Sequence, residues 1–420
     1  MKRLLAVLAL FLVAFLVRAG AIAATGAEDI GFGDARDYLA TAKTVCTEGD
    51  YPTRGNLPFF RAPGLPLFLA TATGCDPSRI ARAKLAIALA DALLAPLLYV
   101  LGVAVTGSPA VGSLAAIAGA LHPGLVYQTT DIRSEPLFTV MLTASLAAFA
   151  LARRQTRAPL LLVAGATAAM AALVRPVGLI AIAFLAVAAL CDRAPLRRRL
   201  AGAALVVAGA AAALAPWTAL MAQKHGELIL VNDAGGYNLW RGSHPALAAA
   251  VRAETPEAYR ARSVEFETVI TPQVAASVES VARTPMERSR EWRRRALRIV
   301  RAEPSFVARY TVWKAVDFWR PGLNRFEYPR AVAWGSAAFN LALYALAAGG
   351  LLTLRTRNRT AAALLLAWIL TFWLAHVPFQ VVTRFRTASL EPVLLVLAAT
   401  AIAGALQRRR AAEAALEPET

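Results

Sequence analysis

The sequence predicts an all-α, polytopic membrane protein with about ten transmembrane helices, external juxtamembrane helices and one small external domain. Three observations point there. Of the 420 residues, 58% are hydrophobic and only 17% charged, whereas water-soluble domains carry about 25% charge and about 45–50% apolar residues. The apolar residues fall in Ala- and Leu-rich runs without the alternation of strands. The short charged segments abut those runs instead of being scattered among them.

A bilayer core of about 30 Å needs about 20 mostly apolar helical residues, because lipid offers backbone groups no hydrogen bonds. Ten spans fit, at 4–24, 79–105, 109–127, 136–152, 158–174, 177–191, 200–221, 331–353, 361–378 and 388–406; the third to sixth are short or interrupted by proline. The net charge of +18 would suggest nucleic acid in a soluble protein. Position excludes that partner. Lys2-Arg3, Arg153-Arg154-Arg157, Arg193 with Arg197 to Arg199, Arg355-Arg357-Arg359 and Arg408 to Arg410 hold a third of the basic residues and border spans. With the N-terminus inside, ten crossings put all five clusters and the C-terminus in the cytoplasm, as the positive-inside rule requires. The first run also has the form of a signal peptide, with Lys2-Arg3 before it and small residues at Ala21 to Ala24. A retained span is expected, because removal would leave nine crossings.

Three parts follow. Residues 1–221 form a transmembrane module with an external loop at 25–78, residues 222–330 an external soluble segment, and residues 331–420 the last spans and a cytoplasmic tail. Cys46 and Cys75 share the first external loop, in a compartment that permits a bridge. Cys191, at the cytoplasmic end of the sixth span, has no such partner and is expected to be an inert buried thiol. Met286 to Arg301 reads as an Arg-rich interfacial helix with a solvated face near anionic lipid. Phe59 to Leu69, with Arg61 before Pro63 and Gly64, suits a helix on the bilayer surface before the chain re-enters it.

Residues able to do chemistry gather in the external loops. Asp34 follows a Gly-rich turn and Asp37-Tyr38 opens a helix; a carboxylate there suits proton abstraction from a hydroxyl, although an Asp after Gly is also a common helix cap. Snorkelling towards headgroups accounts equally for Arg61. The second loop carries His122, Pro123, Tyr127, Asp131, Arg133, Ser134 and Glu135, Arg175 precedes Pro176, and Arg384 and Arg386 flank Phe385. Arg133, Arg175, Arg384 and Arg386 thus lie at external span ends, where the positive-inside rule disfavours them. A lipid-linked phosphate at headgroup level explains them, since guanidinium forks match its oxygens. Asp91 is the carboxylate within a span; a helix-packing hydrogen bond or pairing with Lys84 accounts for it as well as a functional role does.

Taken together these residues resemble the GT-C superfamily of lipid-phosphosugar-dependent glycosyltransferases, especially its protein O-mannosyltransferase and lipid A aminoarabinose-transferase branch. Asp34 to Ala42 is similar to the family's first-loop pattern. Arg61 to Gly64 resembles its Arg-Pro-Pro-Gly with Ala62 in place of a proline. Pro123, Ser134 and Glu135 match its second loop, and Arg175-Pro176 its Arg-Pro. Asn232 to Gly242 resembles the glycine-rich entry to its external domain. Arg384 to Arg386 with Glu391-Pro392 is similar to its late motif, although Thr387 to Ser389 depart from the usual proline spacing.

The resemblance implies an inverting glycosyltransferase that moves a sugar from a polyprenyl phosphate to a protein, lipid A or glycan acceptor at the outer membrane face. It implies Asp34 as general base, Arg61, Arg133, Arg175, Arg384 and Arg386 at the lipid phosphate, and Asp37, Tyr38, Asp131, Glu135 and Asn238 in support. The setting expected is the inner membrane of a Gram-negative bacterium, with the site facing the periplasm. No cofactor is called for: no Asp-X-Asp pair stands in the second loop, and His122, His225, His244 and His376 are scattered. Rival readings are a transporter or flippase of lipid-linked sugar, which would carry its charges near mid-membrane, an O-antigen-type polymerase or ligase, and a non-catalytic assembly subunit.

Overall fold

A computed structural model describes residues 2–31, 33–54 and 57–414. The side chains of Lys2 and Arg3, and Phe32 of the first loop, lie outside the described residues. The described chain is all-α. In order it forms α1 (Lys2–Thr25), α2 (Gly33–Glu48), α3 (Gly64–Thr73), α4 (Ile80–Ala92), α5 (Leu94–Thr106), α6 (Pro109–Leu121), α7 (Pro123–Gln128), α8 (Glu135–Gln155) and α9 (Pro159–Val174). A 3-10 turn (Pro176–Gly178) leads to α10 (Leu179–Leu190) and α11 (Leu196–His225). The segment that follows holds α12 (Ala234–Ser243), α13 (Pro245–Val251), α14 (Pro256–Glu265), a π turn (Phe266–Ile270), α15 (Thr271–Glu279), α16 (Pro285–Ala302) and α17 (Pro304–Asp317). The chain closes with α18 (Arg330–Arg357), α19 (Arg359–His376), α20 (Thr383–Ser389) and α21 (Glu391–Ala414).

Among the described residues, seven helices are long and apolar enough to cross a membrane: Leu5–Thr25, Ile80–Thr106, Glu135–Gln155, Leu196–His225, Arg330–Arg357, Arg359–His376 and Glu391–Glu413. This is a multi-pass membrane protein. The expected third, fifth and sixth spans exist as shorter apolar helices of 13, 16 and 12 residues. At about 1.5 Å per residue even the longest falls short of a bilayer core of about 30 Å. Proline sets these limits. Pro109 and Pro159 open α6 and α9, where a missing N–H costs nothing, and His122-Pro123 and Arg175-Pro176 close them because the residue before proline avoids the helical region.

Small residues let the helices approach closely. A Cβ on Gly165 of α9 would stand 1.9 Å from the Val206 carbonyl of α11, and one on Gly350 of α18 would stand 1.7 Å from that of Leu397 in α21. A buried ion pair joins α1 to the bundle: Arg18 Nε donates to Asp91 Oδ2 at 2.5 Å, and its Nη1 to the carbonyls of Ala14 and Ala120. Asp91 therefore pairs with Arg18, not with Lys84, whose ammonium donates to the Gly26 carbonyl at 2.8 Å.

The bundle has two unlike ends. At one, Arg153 pairs with Asp192 at 2.8 Å, Arg154 donates to the Val103 carbonyl, Asn358 to that of Val105, and Arg357 to Gln407. Cys191 is exposed there, because α10 ends at Leu190 and leaves its cap outside the packed helices; the expectation of a buried thiol fails. At the other end lie the first loop and the segment between α11 and α18.

That segment has its own apolar cluster, including Tyr237, Trp240, Phe266, Trp292 and Ala296. The expected Arg-rich helix is α16, started by a capping box between Thr284 and Glu287. One face of it packs on the protein, with Trp292 1% exposed and 4.7 Å from Trp240 between ring centres, while Arg293, Arg294, Leu297 and Arg298 stay exposed. The helix α3 packs on the bundle through Leu65 and Leu69, both fully buried, and leaves Leu67 exposed. Cys46, in the last turn of α2, is joined by a disulfide to Cys75, just after α3.

Candidate active site

The site begins in the first turn of α2. Ala35, Tyr38, Leu39 and Ala42 form the buried face of that helix, which leaves Asp34 and Asp37 on its open side, each 36% exposed. Neither acts alone. The Arg61 guanidinium comes between them, its Nη2 donating to Asp34 Oδ1 at 2.7 Å and to Asp37 Oδ2 at 2.8 Å. It also covers the Tyr38 ring at 4.7 Å. Burial works against the charge on Arg61, but Tyr38, Asp34 and Asp37 outweigh it and raise its pKa. The Arg61 Nε atom is buried without a hydrogen-bond partner. Arg61 thus holds the two carboxylates, and neither the snorkelling nor the helix-cap reading describes this contact.

A second cluster surrounds the start of α8. Glu135, 2% exposed, lies 3.0 Å from Arg175 Nη1 and 3.3 Å from Arg384 Nε, and Arg175 Nη1 also donates to Ser134 Oγ at 2.8 Å. Arg175 reaches Glu135 because the helix break at Pro176 turns the chain there, and it stacks over Phe385, 4.8 Å from the ring centre. Arg133 covers the Tyr127 ring at 5.4 Å and adds its charge to the field at Glu135. One buried carboxylate is set among three guanidinium groups, which leaves a net positive, partly open surface suited to an anion.

The two clusters are neighbours. Gly64, three residues after Arg61, packs so tightly on the end of α9 that a Cβ would stand 2.6 Å from Val174 Cγ2 and 3.0 Å from the Leu173 carbonyl carbon. Gly31, just before α2, lies close to Asp131: a Cβ there would stand 3.3 Å from its Oδ2 atom. The other Asp131 oxygen accepts the Ile132 N–H at 2.7 Å.

Arg386 is placed differently from the other arginines. It is fully buried and bonded to Glu391 at 3.1 Å and to the Arg320 carbonyl at 2.7 Å. Thr387 donates to the same Glu391 at 3.0 Å, and His122 Nε2 lies 3.1 Å from the second carboxylate oxygen. With no exposed surface, Arg386 is a structural member of this network and not part of the anion surface. Asn238 is partly exposed on α12 and belongs to neither cluster. Sequence reasoning missed Arg18, Asp233 and Arg288, all buried in ion pairs; the Asn-Asp step before a glycine-rich helix was the visible sign of the second.

Among the described residues no three His, Cys, Asp or Glu side chains converge as a metal site, and the space between Asp34 and Asp37 already holds a guanidinium.

No family model and no curated protein matches the chain. Solved structures do, and they include the archaeal oligosaccharyltransferase AglB from Archaeoglobus fulgidus in complex with an inhibitory peptide and a dolichol-phosphate, with TM-score 0.56, 15% identity and coverage of 99% of this chain and 52% of that one. The apo form of the Archaeoglobus fulgidus oligosaccharyltransferase aligns at TM-score 0.59 and 15% identity over the same shares. The form tethered to an acceptor peptide containing the NVT sequon aligns at 0.56 and 15%, covering 96% and 50%. The chain shares the fold of the part of these oligosaccharyltransferases that it covers. It spans about half the length of these proteins, and likeness at 15% identity extends to the fold alone.

Proposed function

We propose that the protein is an inverting glycosyltransferase that moves a sugar from a polyprenyl-phosphate donor to an acceptor hydroxyl on the outer side of the membrane. The observation that carries the reading is that the segments bearing the Arg61-bridged carboxylates touch those bearing the Glu135, Arg175 and Arg384 cluster, at the end of the bundle opposite its basic loops. The positive-inside rule assigns those basic loops to the cytoplasm, so the site faces outward, to the periplasm in a Gram-negative cell. The GT-C fold, found also in an enzyme solved with a dolichol-phosphate, supports the same donor class.

In this mechanism the acceptor oxygen attacks the anomeric carbon from the face opposite the phosphate. The carbon–oxygen bond to the phosphate breaks and its electron pair leaves on the lipid phosphate. Asp34, aimed by its hydrogen bond from Arg61, takes the acceptor proton. Arg133, Arg175 and Arg384 neutralise the charge that grows on the leaving phosphate, and the Arg61 guanidinium, 10% exposed, adds its charge to theirs. Glu135 orients Arg175 and Arg384; Asp37 shares Arg61 with Asp34, and Tyr38 supports it from below. Asp131 fixes the approach of the two loops, and Asn238 is a supporting residue of the external segment. Arg386 serves by holding α20, and hence Arg384, in place.

The acceptor and the sugar are found by experiment. A strain lacking the protein accumulates the polyprenyl-phosphate sugar that it consumes, which mass analysis of the lipid pool identifies. With that donor, Asp34→Asn in proteoliposomes lowers turnover by at least about 100-fold without changing donor affinity; undiminished turnover removes Asp34 as the base.

A further inference from the structure

The residue before Arg61 is held at both of its backbone polar groups by the segment between α11 and α18. The Phe60 N–H donates to Asp233 Oδ1 at 2.9 Å, and the Phe60 carbonyl accepts from Asn232 Nδ2 at 3.0 Å. The second Asp233 oxygen takes both Nε and Nη2 of Arg288, at 3.0 and 2.8 Å. Arg288 Nη2 goes on to the Thr53 carbonyl at 2.7 Å, so α16 grips the same irregular loop a second time. The Arg61 carbonyl accepts from the Tyr51 hydroxyl at 2.9 Å, and the Tyr51 ring is wedged edge-on against Trp217 at 4.8 Å. Both partners of the ion pair are buried. Its placement depends on close contact of α12 with α16, where a Cβ on Gly236 would stand 1.9 Å from the Ser289 carbonyl.

We propose that Asp233, with Asn232 and Arg288, is a positioning residue that fixes the Phe60–Arg61 peptide and thereby sets the Arg61 guanidinium between Asp34 and Asp37. A loop without regular structure cannot by itself hold a long side chain to the tolerance that a reacting centre needs, and outer residues with locked geometry supply it. The inference rests on the glycosyltransferase reading for its consequence in turnover, but not for its geometry.

The test uses the full chain in detergent and two readouts. The first is phenylglyoxal labelling of Arg61, followed by peptide mass. Held in two ion pairs and 10% exposed, Arg61 is protected in the wild type; Asn232→Ala and Asp233→Ala raise its labelling about 10-fold, and Asp233→Asn, which keeps the acceptor for Phe60, does so less. The second is retention of undecaprenyl phosphate, measured alone and in the Arg61→Ala background. If Asp233 acts through Arg61, Asp233→Ala weakens retention in the wild type but adds nothing in Arg61→Ala. Unchanged Arg61 labelling in both alanine variants overturns the proposal, as does an effect of Asp233→Ala that persists in full without Arg61. Released Arg61 with unchanged lipid-phosphate retention upholds the positioning role and counts instead against Arg61 as a donor ligand. Asn232→Ala removes one hydrogen bond and no charge, so it decides the matter if Asp233→Ala does not fold.

Discussion

Arg384 and Arg386 stand two positions apart, yet their surroundings give them different work. Arg384 is 29% exposed and touches Glu135 at the open cluster, whereas Arg386 is sealed against Glu391. Removing Arg386 leaves a buried carboxylate without its cation, which costs about 3–5 kcal/mol in comparable pairs. Arg386→Ala therefore lowers the thermal midpoint sharply. Arg384→Ala leaves the midpoint nearly unchanged and weakens binding of undecaprenyl phosphate by about 10-fold or more; equal midpoints for the two variants, followed by thermal denaturation, refute the distinction. The sequence could not separate these residues, because both read as arginines on the disfavoured side of the membrane and only the fold shows which one meets Glu391. Asp34, Asp37 and Arg61 were legible as chemistry from their loop and residue types. That one guanidinium bridges both carboxylates was not, since the contact closes a gap of 24 and 27 residues.

At the scale of elements, α16 and the start of α12 act together on the loop before α3. Asp233 titrates near neutrality: burial pushes its carboxyl up to about 6, while Arg288 and the Phe60 N–H pull the other way. Its folded value lies above the ordinary 3.8, so between these values the folded protein holds a proton that the unfolded chain has lost. This group's contribution to stability consequently falls as pH rises through that window. The grip on Arg288 has the opposite dependence, being complete only when the carboxylate is charged. Arg288 is the charged group facing Asp233, and His225, within range of Arg288, is controlled for by His225→Gln. Undecaprenyl phosphate binding is predicted to weaken as pH falls below about 6 in the wild type and to lose that limb in Asp233→Asn; an unchanged profile in the variant assigns the limb elsewhere. The amphipathic pattern of α16 was plain in the sequence, but its apolar stripe suits a lipid surface and a protein core equally. Trp240 and Phe266, which decide for the core, come from distant parts of the segment.

Over the whole molecule, apolar runs bounded by arginine were enough to indicate a multi-pass helical bundle, and every expected span corresponds to at least one apolar helix. What they could not supply was helix length, because Pro123 and Pro176 cut the apolar stretches into helices shorter than a full span. The two ends remain distinct. Reporter fusions are expected to put position 194, between α10 and α11, in the cytoplasm and position 260 outside; a cytoplasmic reporter at 260 would invert the molecule and remove the site from its lipid donor. The bridge between Cys46 and Cys75 ties α2, which carries Asp34, to α3, which follows Arg61. In an oxidising compartment such a link persists, and in the cytosol its thiols stay reduced. A copy threaded through the membrane in the wrong sense would therefore leave its acid and its arginine on unfastened supports.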